Sequence, residues 1–387
     1  MSTGRCQSVL ALNVGSSSLK FGLHLVGEQG GRALLLGSAH ALDAGQAEFS
    51  ASDADGRQLV REIGAALPAD ALVARIAKLL TAQGLPAPEA IGHRIVHGGP
   101  ALRQHIRIDA LVLQKLEAAA AFAPLHVPPA LAVVRSAQAA FADVPQIACL
   151  DTAFHSSMPE VARTMPIPAD LRALGIERYG FHGLSCESIV AQLGAQVAGA
   201  GTGARATLPA RLVIAHLGHG ASVTAVAQGH SIDTSMGLTP TGGVPMGTRC
   251  GDLDPAVLIY CMREQGYDAP ALEAMTNHRS GLLGISGISG DMRTLRATSA
   301  LQPQARLAIA MFCYAVRKQI GAMAAVLGGL DLLAFTGGIG ENDAQSRATI
   351  CEGLDYLGVG PGAANVRVLP AQEDVQIVRH AWRLVSA

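Results

Sequence analysis

Apolar and polar positions alternate along the chain in a pattern that repeats once at long range. Val9–Leu12 is apolar, Asn13-Val14-Gly15-Ser16-Ser17-Ser18 is small and polar, and Leu19–Val26 resumes with partial alternation. Far downstream, Leu212–Ala215 is apolar, His216-Leu217-Gly218-His219-Gly220-Ala221-Ser222 turns, and Val223–Ala227 resumes. Both read as β-hairpins closed by turn-forming residues. Their likeness predicts two similar halves. Helical spacing predicts helices over Asp70–Gln83, Asp109–Phe122 with Asp109 as N-cap, and Pro129–Ala140. Ala90–Val96 reads as a strand ending in His97-Gly98-Gly99, and Gln146–Leu150 as a buried strand ending at Asp151. Phe312, Val316, Ile320, Met323 and Leu327 form a helical stripe that Gly328-Gly329 stops. Leu332–Phe335 is then a strand running into Thr336-Gly337-Gly338-Ile339-Gly340-Glu341-Asn342, read as a turn. Gly194–Pro209, rich in Gly, Ala and Thr, reads as a surface loop. Helices alternating with strands predict an α/β fold with mixed sheets, its halves meeting near Asp151.

Composition narrows the classes. A chain of 387 residues suggests two domains. Hydrophobic residues at 49% and charged residues at 15% supply two cores and exclude a disordered chain. The formal net charge of −1 argues against a nucleic-acid partner or an anionic membrane surface, so any positive site must be local. Seven cysteines with no CxxC pair read as buried, reduced thiols in a reducing compartment. The N-terminal stretch lacks a signal-peptide layout, because its short apolar run meets Asn13 and Gly15. The long uncharged stretches around Ala118–Val134 and Ser188–Ala204 are broken by Pro or Gly, so no membrane helix is expected.

Three Gly-rich turns follow apolar strands: Gly15–Ser18, Gly218–Ser222 and Gly337–Gly340. Consecutive backbone N–H groups in such turns form anion-binding concavities, and the missing Cβ lets phosphate approach. None has the Gly-x-x-x-x-Gly-Lys phosphate-loop spacing or a GxGxxG fingerprint. Arg94 and Arg249 sit in Gly- and His-rich settings, and a guanidinium offers a planar fork to carboxylate or phosphate oxygens. Each alone also fits a structural ion pair. Asp151, at the end of a strand, points toward the usual ligand crevice of an α/β fold or caps a helix. His126 and His182 could donate hydrogen bonds to a phosphoryl group, although any of 13 histidines also fits hydrogen-bonded scaffolding. No HExxH or Cys/His zinc spacing occurs. Mg2+ arriving with ATP needs few protein oxygens, which Asn13 and Glu373 could supply.

These segments together resemble the acetate kinase family, within the superfamily of actin, hexokinase and heat-shock chaperone ATPases. The resemblance runs in order through Asn13–Lys20, His93–Gly99, Ala123–His126, Asp151–His155, Arg178–Gly183, Asp233–Gly237, Met246–Arg249 and Phe335–Asn342. It implies two similar domains of a duplicated actin-like, ribonuclease H-like fold with a cleft between them. Residues 1–151 with 375–387 would form an acid- and phosphate-site domain, and residues 152–374 a nucleotide-binding domain. The implied activity is reversible, in-line transfer of the ATP γ-phosphoryl group to acetate, giving acetyl phosphate and ADP without a covalent enzyme intermediate. Such chemistry asks for positioning and charge stabilisation.

The resemblance also assigns residues. Asn13, Ser16 and Lys20 would belong to one phosphate loop, and His216, Gly218, His219 and Gly220 to the other. Gly337, Gly338, Ile339, Gly340 and Asn342 would belong to the adenosine loop. Arg94 and Arg249 would hold the acid carboxylate and the moving phosphoryl group; His182 would hydrogen-bond that group, supported by His126. Asp151 would orient the site and the metal, and Asn13 with Glu373 would place Mg2+, or Mn2+. Val96, Leu125, Phe181 and Pro240 would shape a small apolar pocket for the methyl end of the acid. A cytoplasmic homodimer without nucleic-acid or membrane partners is implied as well. The chain departs from the family pattern at Val127, Ala130 and His219, where Asn is usual, and at Gly242, where Glu is usual. A propionate or butyrate kinase, and a non-catalytic nucleotide-binding protein on the same scaffold, are the alternatives.

Overall fold

A computed structural model of the chain describes residues 6–15, 18–28, 30–41, 45–199 and 208–386. The chain divides into two compact units, Met1–Ala153 with Gln372–Ala387, and Phe154–Ala371. The first holds β1 (Gln7–Val14), β2 (Ser18–Gly27), β3 (Gly30–Ala41), β4 (Gln46–Asp53), β5 (Gln58–Ala65), β6 (Ala90–Ile95), β7 (Ile106–Arg107) and β8 (Gln146–Leu150). They form one sheet in the order β5-β4-β3-β2-β1-β6-β8-β7. β1 pairs antiparallel with β2, placing Asn13 opposite Lys20, and parallel with β6, which pairs parallel with β8.

Val9–Leu12 is fully buried, as a central strand covered on both faces must be. Leu10 and Leu12 pack with Phe21, Leu23, Val73, Ile76 and Val133, which brings the helices Ala69–Ala82 and Val127–Ala140 onto one face. The helix Glu373–Ser386 lies against β1 and β6. Gly92 permits that approach, since a Cβ there would stand 2.5 Å from Ile377 Cγ2. Burying Ile377 and Val378 contributes about 1.5–3 kcal/mol per side chain and fixes where the helix begins.

The second unit holds β9 (Arg211–Leu217), β10 (Ala221–Ala227), β11 (His230–Thr234), β12 (Leu332–Thr336) and β13 (Val366–Val368), in the order β11-β10-β9-β12-β13. β9 runs antiparallel to β10 and parallel to β12, and β12 runs parallel to β13. The run β3-β2-β1-β6-β8 of the first sheet has the same order and the same directions. The expected fold class holds: two similar α/β units of actin-like architecture.

Both hairpins, the three early helices and the Asp109 cap form as the pattern predicts; Asp109 accepts from Val112 N at 2.7 Å. Three readings need correction. The segment read as a loop from Gly194 remains helical to Gly199, in a helix from Gly183 that buries Leu184, Ile189 and Leu193. Its residues 200–207 lie outside the described residues. Gly337–Asn342 is a short helix, not a turn; Asn342 Nδ2 donates to Gly338 O and Gly337 N to Glu341 Oε1, closing it despite three glycines. The seven cysteines are free, but only Cys149, Cys186, Cys313 and Cys351 are buried, and Cys6 is exposed. Among the described residues one helix, Pro303–Leu327, is long and apolar enough to cross a membrane by length and composition alone. It buries Phe312, Val316, Ile320 and Met323 within the second unit, as a core helix does.

Candidate active site

In the first unit, parallel pairing sets the C-terminal ends of β1, β6 and β8 side by side. Asn13, Arg94 and Asp151 stand at those ends, the position where ligands meet an open α/β sheet. Arg94 Nε and Nη2 donate to Asp151 Oδ2 at 2.9 and 2.5 Å. Its Nη1 lies 3.4 Å from both Asn13 Oδ1 and the Val14 carbonyl. Asn13 Nδ2 donates to Glu373 Oε2 at 3.0 Å and to Asp374 Oδ1 at 3.1 Å. Asp151 is wholly buried, and 15% of the Arg94 side chain is exposed. Burial opposes the charge of Arg94, but the carboxylates of Asp151, Glu373 and Asp374 outweigh it and raise its pKa. Burial likewise raises the pKa of Asp374, against the bond from Asn13.

The chemistry of these residues fits a hard divalent cation, because Asn13, Glu373 and Asp374 bring amide and carboxylate oxygens together. Lys20 is exposed, across the hairpin from Asn13. Val96 is buried just beyond β6, while Leu125 is 39% exposed. His126 is the residue before the helix Val127–Ala140, whose first turn its side chain does not cap. Val127 and Ala130 belong to the apolar core under that helix, so their lack of polarity is a packing feature. Ser16 lies outside the described residues.

In the second unit, β9 and β12 end side by side, with Thr336 in register with His216. His216 Nδ1 pairs with Ser185 Oγ at 2.8 Å, and its ring stacks on His182, with centroids 4.1 Å apart. His182 has φ +59°, a conformation rare for a non-glycine residue. Its Nδ1 pairs with Ser222 Oγ at 3.0 Å. A Cβ built on Gly220 would meet His182 Nε2 at 3.2 Å and Arg249 Nη1 at 3.4 Å, so both groups converge on bare backbone. Arg249 Nη1 also donates to the Pro240 carbonyl at 3.0 Å. Phe181 is buried and fixed through its carbonyl, to which His155 Nε2 donates at 2.9 Å.

The loop Gly218–Gly220 meets the start of the Gly337–Asn342 helix, since a Cβ on Gly218 would stand 3.8 Å from Gly338 N. Both border a cavity of about 710 Å3, lined also by His219, Ile339, Asn342, Asp291, Arg293, Arg296 and Asp343. That volume suits a nucleotide-sized ligand. Gly337 has φ +79°, and a Cβ there would crowd the Leu217 carbonyl at 2.8 Å.

The structure thus gathers Asn13, Arg94, Asp151 and Glu373 within the first unit. It gathers His182, His216, Gly220, Pro240 and Arg249 within the second. Sequence reasoning missed Asp374, Ser185 and the Asp291–Arg296 wall of the cavity. Asp291 caps the helix Met292–Thr298 by accepting from Arg293 N, and in sequence it is indistinguishable from any other cap.

The chain is similar in sequence and in fold to known proteins. The family model described as the acetokinase family matches residues 8–380. An acetate kinase of Rhodopseudomonas palustris (strain ATCC BAA-98 / CGA009) is 38% identical over 98% of this chain and 98% of its own length. An acetate kinase of Heliobacterium modesticaldum is 40% identical over 77% of this chain and 78% of its own. Among solved structures, a propionate kinase from Francisella tularensis has a TM-score of 0.88 at 33% identity, covering 98% of this chain and 100% of that one. Porphyromonas gingivalis acetate kinase has a TM-score of 0.84 at 31% identity, with the same two coverages.

Proposed function

The chain belongs to the acetokinase family, and from that premise we propose that this kinase reversibly transfers the γ-phosphoryl group of ATP to acetate, giving acetyl phosphate and ADP. The observation that carries the reading is the placing of two guanidinium groups and an imidazole. Arg94 stands at the strand ends of the first unit, held by Asp151, and Arg249 and His182 converge on Gly220 in the second. Charge in a phosphoryl-transfer transition state spreads over the equatorial oxygens, and fixed donors stabilise it without reorganising.

In this reading Arg94 orients the acid so that a carboxylate oxygen attacks the γ-phosphorus in line. Asp151 fixes the plane of that guanidinium. Arg249 and the Nε2 of His182 hold the transferring oxygens, and His216 and Ser222 fix the His182 ring. Gly218–Gly220 and Gly337–Asn342 hold the nucleotide; Ser16 and Lys20 would hold phosphate, and His126 would support the acid side. Asn13 and Glu373 would hold Mg2+ or Mn2+, which neutralises charge on the nucleotide phosphates when bound. Val96, Leu125, Phe181 and Pro240 would limit the length of the acid.

The resemblance to a propionate kinase supports a second reading, a preference for a longer acid. One methylene in an apolar pocket is worth about tenfold or more in kcat/KM. Acetate is expected to exceed propionate and butyrate by at least about that factor, and Val96→Ala to narrow the gap. A higher kcat/KM for propionate or butyrate assigns the second reading, and no turnover of any acid leaves only a nucleotide-binding protein.

A cytoplasmic homodimer completes the proposal. Seven free thiols suit a reducing compartment. Leu307, Met311 and Tyr314 share one face of the helix Pro303–Leu327 and are exposed, as are Val257, Ile259 and Tyr260 on Pro255–Glu264. Exposed apolar clusters of this kind mark association surfaces. Sedimentation at twice the chain mass is expected, and sedimentation as a monomer at micromolar concentration would contradict it.

A further inference from the structure

We propose that His219 is a polyphosphate-binding residue whose imidazole takes up a proton as the polyphosphate binds and then holds its oxygens as an imidazolium. The inference rests on the kinase reading above and deepens it.

The ring is seated by backbone. A Cβ on Gly247 would stand 2.7 Å from His219 Nδ1 and 2.8 Å from Cε1, so only glycine at 247 leaves room for it. Gly247 N donates to the His219 carbonyl at 3.1 Å, and the Gly290 carbonyl lies 3.0 Å from the same built Cβ. His219 is therefore fixed to the segment that carries Arg249. It borders the 710 Å3 cavity together with Gly218 and Gly338. The charged groups that act on it or line the same cavity are Arg249, Asp291, Arg293, Arg296 and Asp343.

Partial burial, and then the guanidinium of Arg249, lower the His219 pKa below its ordinary 6.5, while Asp291 pulls the other way. Burial and Arg249 both favour the neutral ring before a ligand arrives. A polyphosphate brings several negative charges to the same cavity, and nearby negative charge favours the protonated ring. Binding then takes up a proton wherever the pH lies between the free and bound pKa values. By linkage, affinity rises as pH falls through that window, and above the bound pKa the ring is neutral in both states and contributes nothing. An amide here, as is usual in the family, could donate a hydrogen bond but could not titrate.

The test is calorimetric titration of Mg-ADP into the wild type and His219→Asn at pH 6.5, in two buffers of different ionisation enthalpy. His219→Gln serves as a second variant, and adenosine as the phosphate-free ligand. We expect more proton uptake per ADP in the wild type than in either variant, and no difference with adenosine. The wild-type KM for ATP should rise several-fold between pH 6 and 8, with a flatter profile in the variants. Equal uptake and parallel KM profiles would overturn the proposal. Failure of all three proteins to bind ADP would overturn it together with the kinase reading. Unequal uptake without turnover of any acid would uphold the role of His219 and remove only the proposed reaction.

Discussion

Replacing Arg249 by alanine is expected to lower kcat about a thousandfold or more, with a much smaller change in the KM for ATP. Its Nη1 lies within 3.4 Å of the position a Cβ on Gly220 would take, beside His182 Nε2, and is aimed by its bond to the Pro240 carbonyl. A donor fixed where charge develops stabilises the transition state more than the bound nucleotide. Removing one such donor costs about a hundred- to a thousandfold, and an arginine at a phosphoryl group more. Arg249→Lys should recover only part of the rate, because a point charge cannot reproduce the fork. Steady-state kinetics with acetate and Mg-ATP reads the effect, and a kcat for Arg249→Ala within tenfold of the wild type contradicts the assigned role.

Asp151→Asn carries the second large effect, on stability and activity together. Asp151 is fully buried and holds Arg94 through two donors on one oxygen. Removing one partner of a buried pair leaves an uncompensated charge and costs about 3–5 kcal/mol. The amide oxygen still accepts a bond, so the lower end, about 3 kcal/mol, is expected in denaturant unfolding. In the variant that still folds, Arg94 loses its fixed plane. The KM for acetate should therefore rise at least about tenfold, as kcat falls. A variant with wild-type stability and wild-type acetate KM would show that the pair neither holds the unit nor orients the acid.

The two hairpins were legible because Asn, Gly, Ser and His punctuate continuous apolar runs, and the strands on either side are buried. The helix Pro303–Leu327 was legible because Phe312, Val316, Ile320 and Met323 keep helical spacing up to Gly328, which caps it at φ +69°. β3, β4 and β5 were not read, since segments such as Gln46–Asp53 are rich in Ala and Ser and poor in β-branched residues. The helices Pro255–Glu264 and Ala269–His278 were not read: Ala256–Met262 is apolar without a break and so shows no helical period, and Ala269–His278 has few large apolar residues. Their start signals were present, however, as Asp254 before Pro255 and Asp268 shortly before Pro270.

At the site, Arg94, Asp151 and Asn13 were each visible at the end of an apolar strand. Their mutual hydrogen bonds follow from strand order, which single segments do not encode. Asp374 escaped because its partner Asn13 is 361 positions away. The stacking of His182 on His216 depends on a left-handed backbone at His182 that no sequence pattern announces.

The most direct measurement is phosphorus NMR of the purified protein with acetate and Mg-ATP. Acetyl phosphate and ADP should grow together in equal amounts, and acetyl phosphate added with ADP should return ATP. ATP that binds but stays intact, or that yields only ADP and inorganic phosphate, would contradict transfer to a carboxylate.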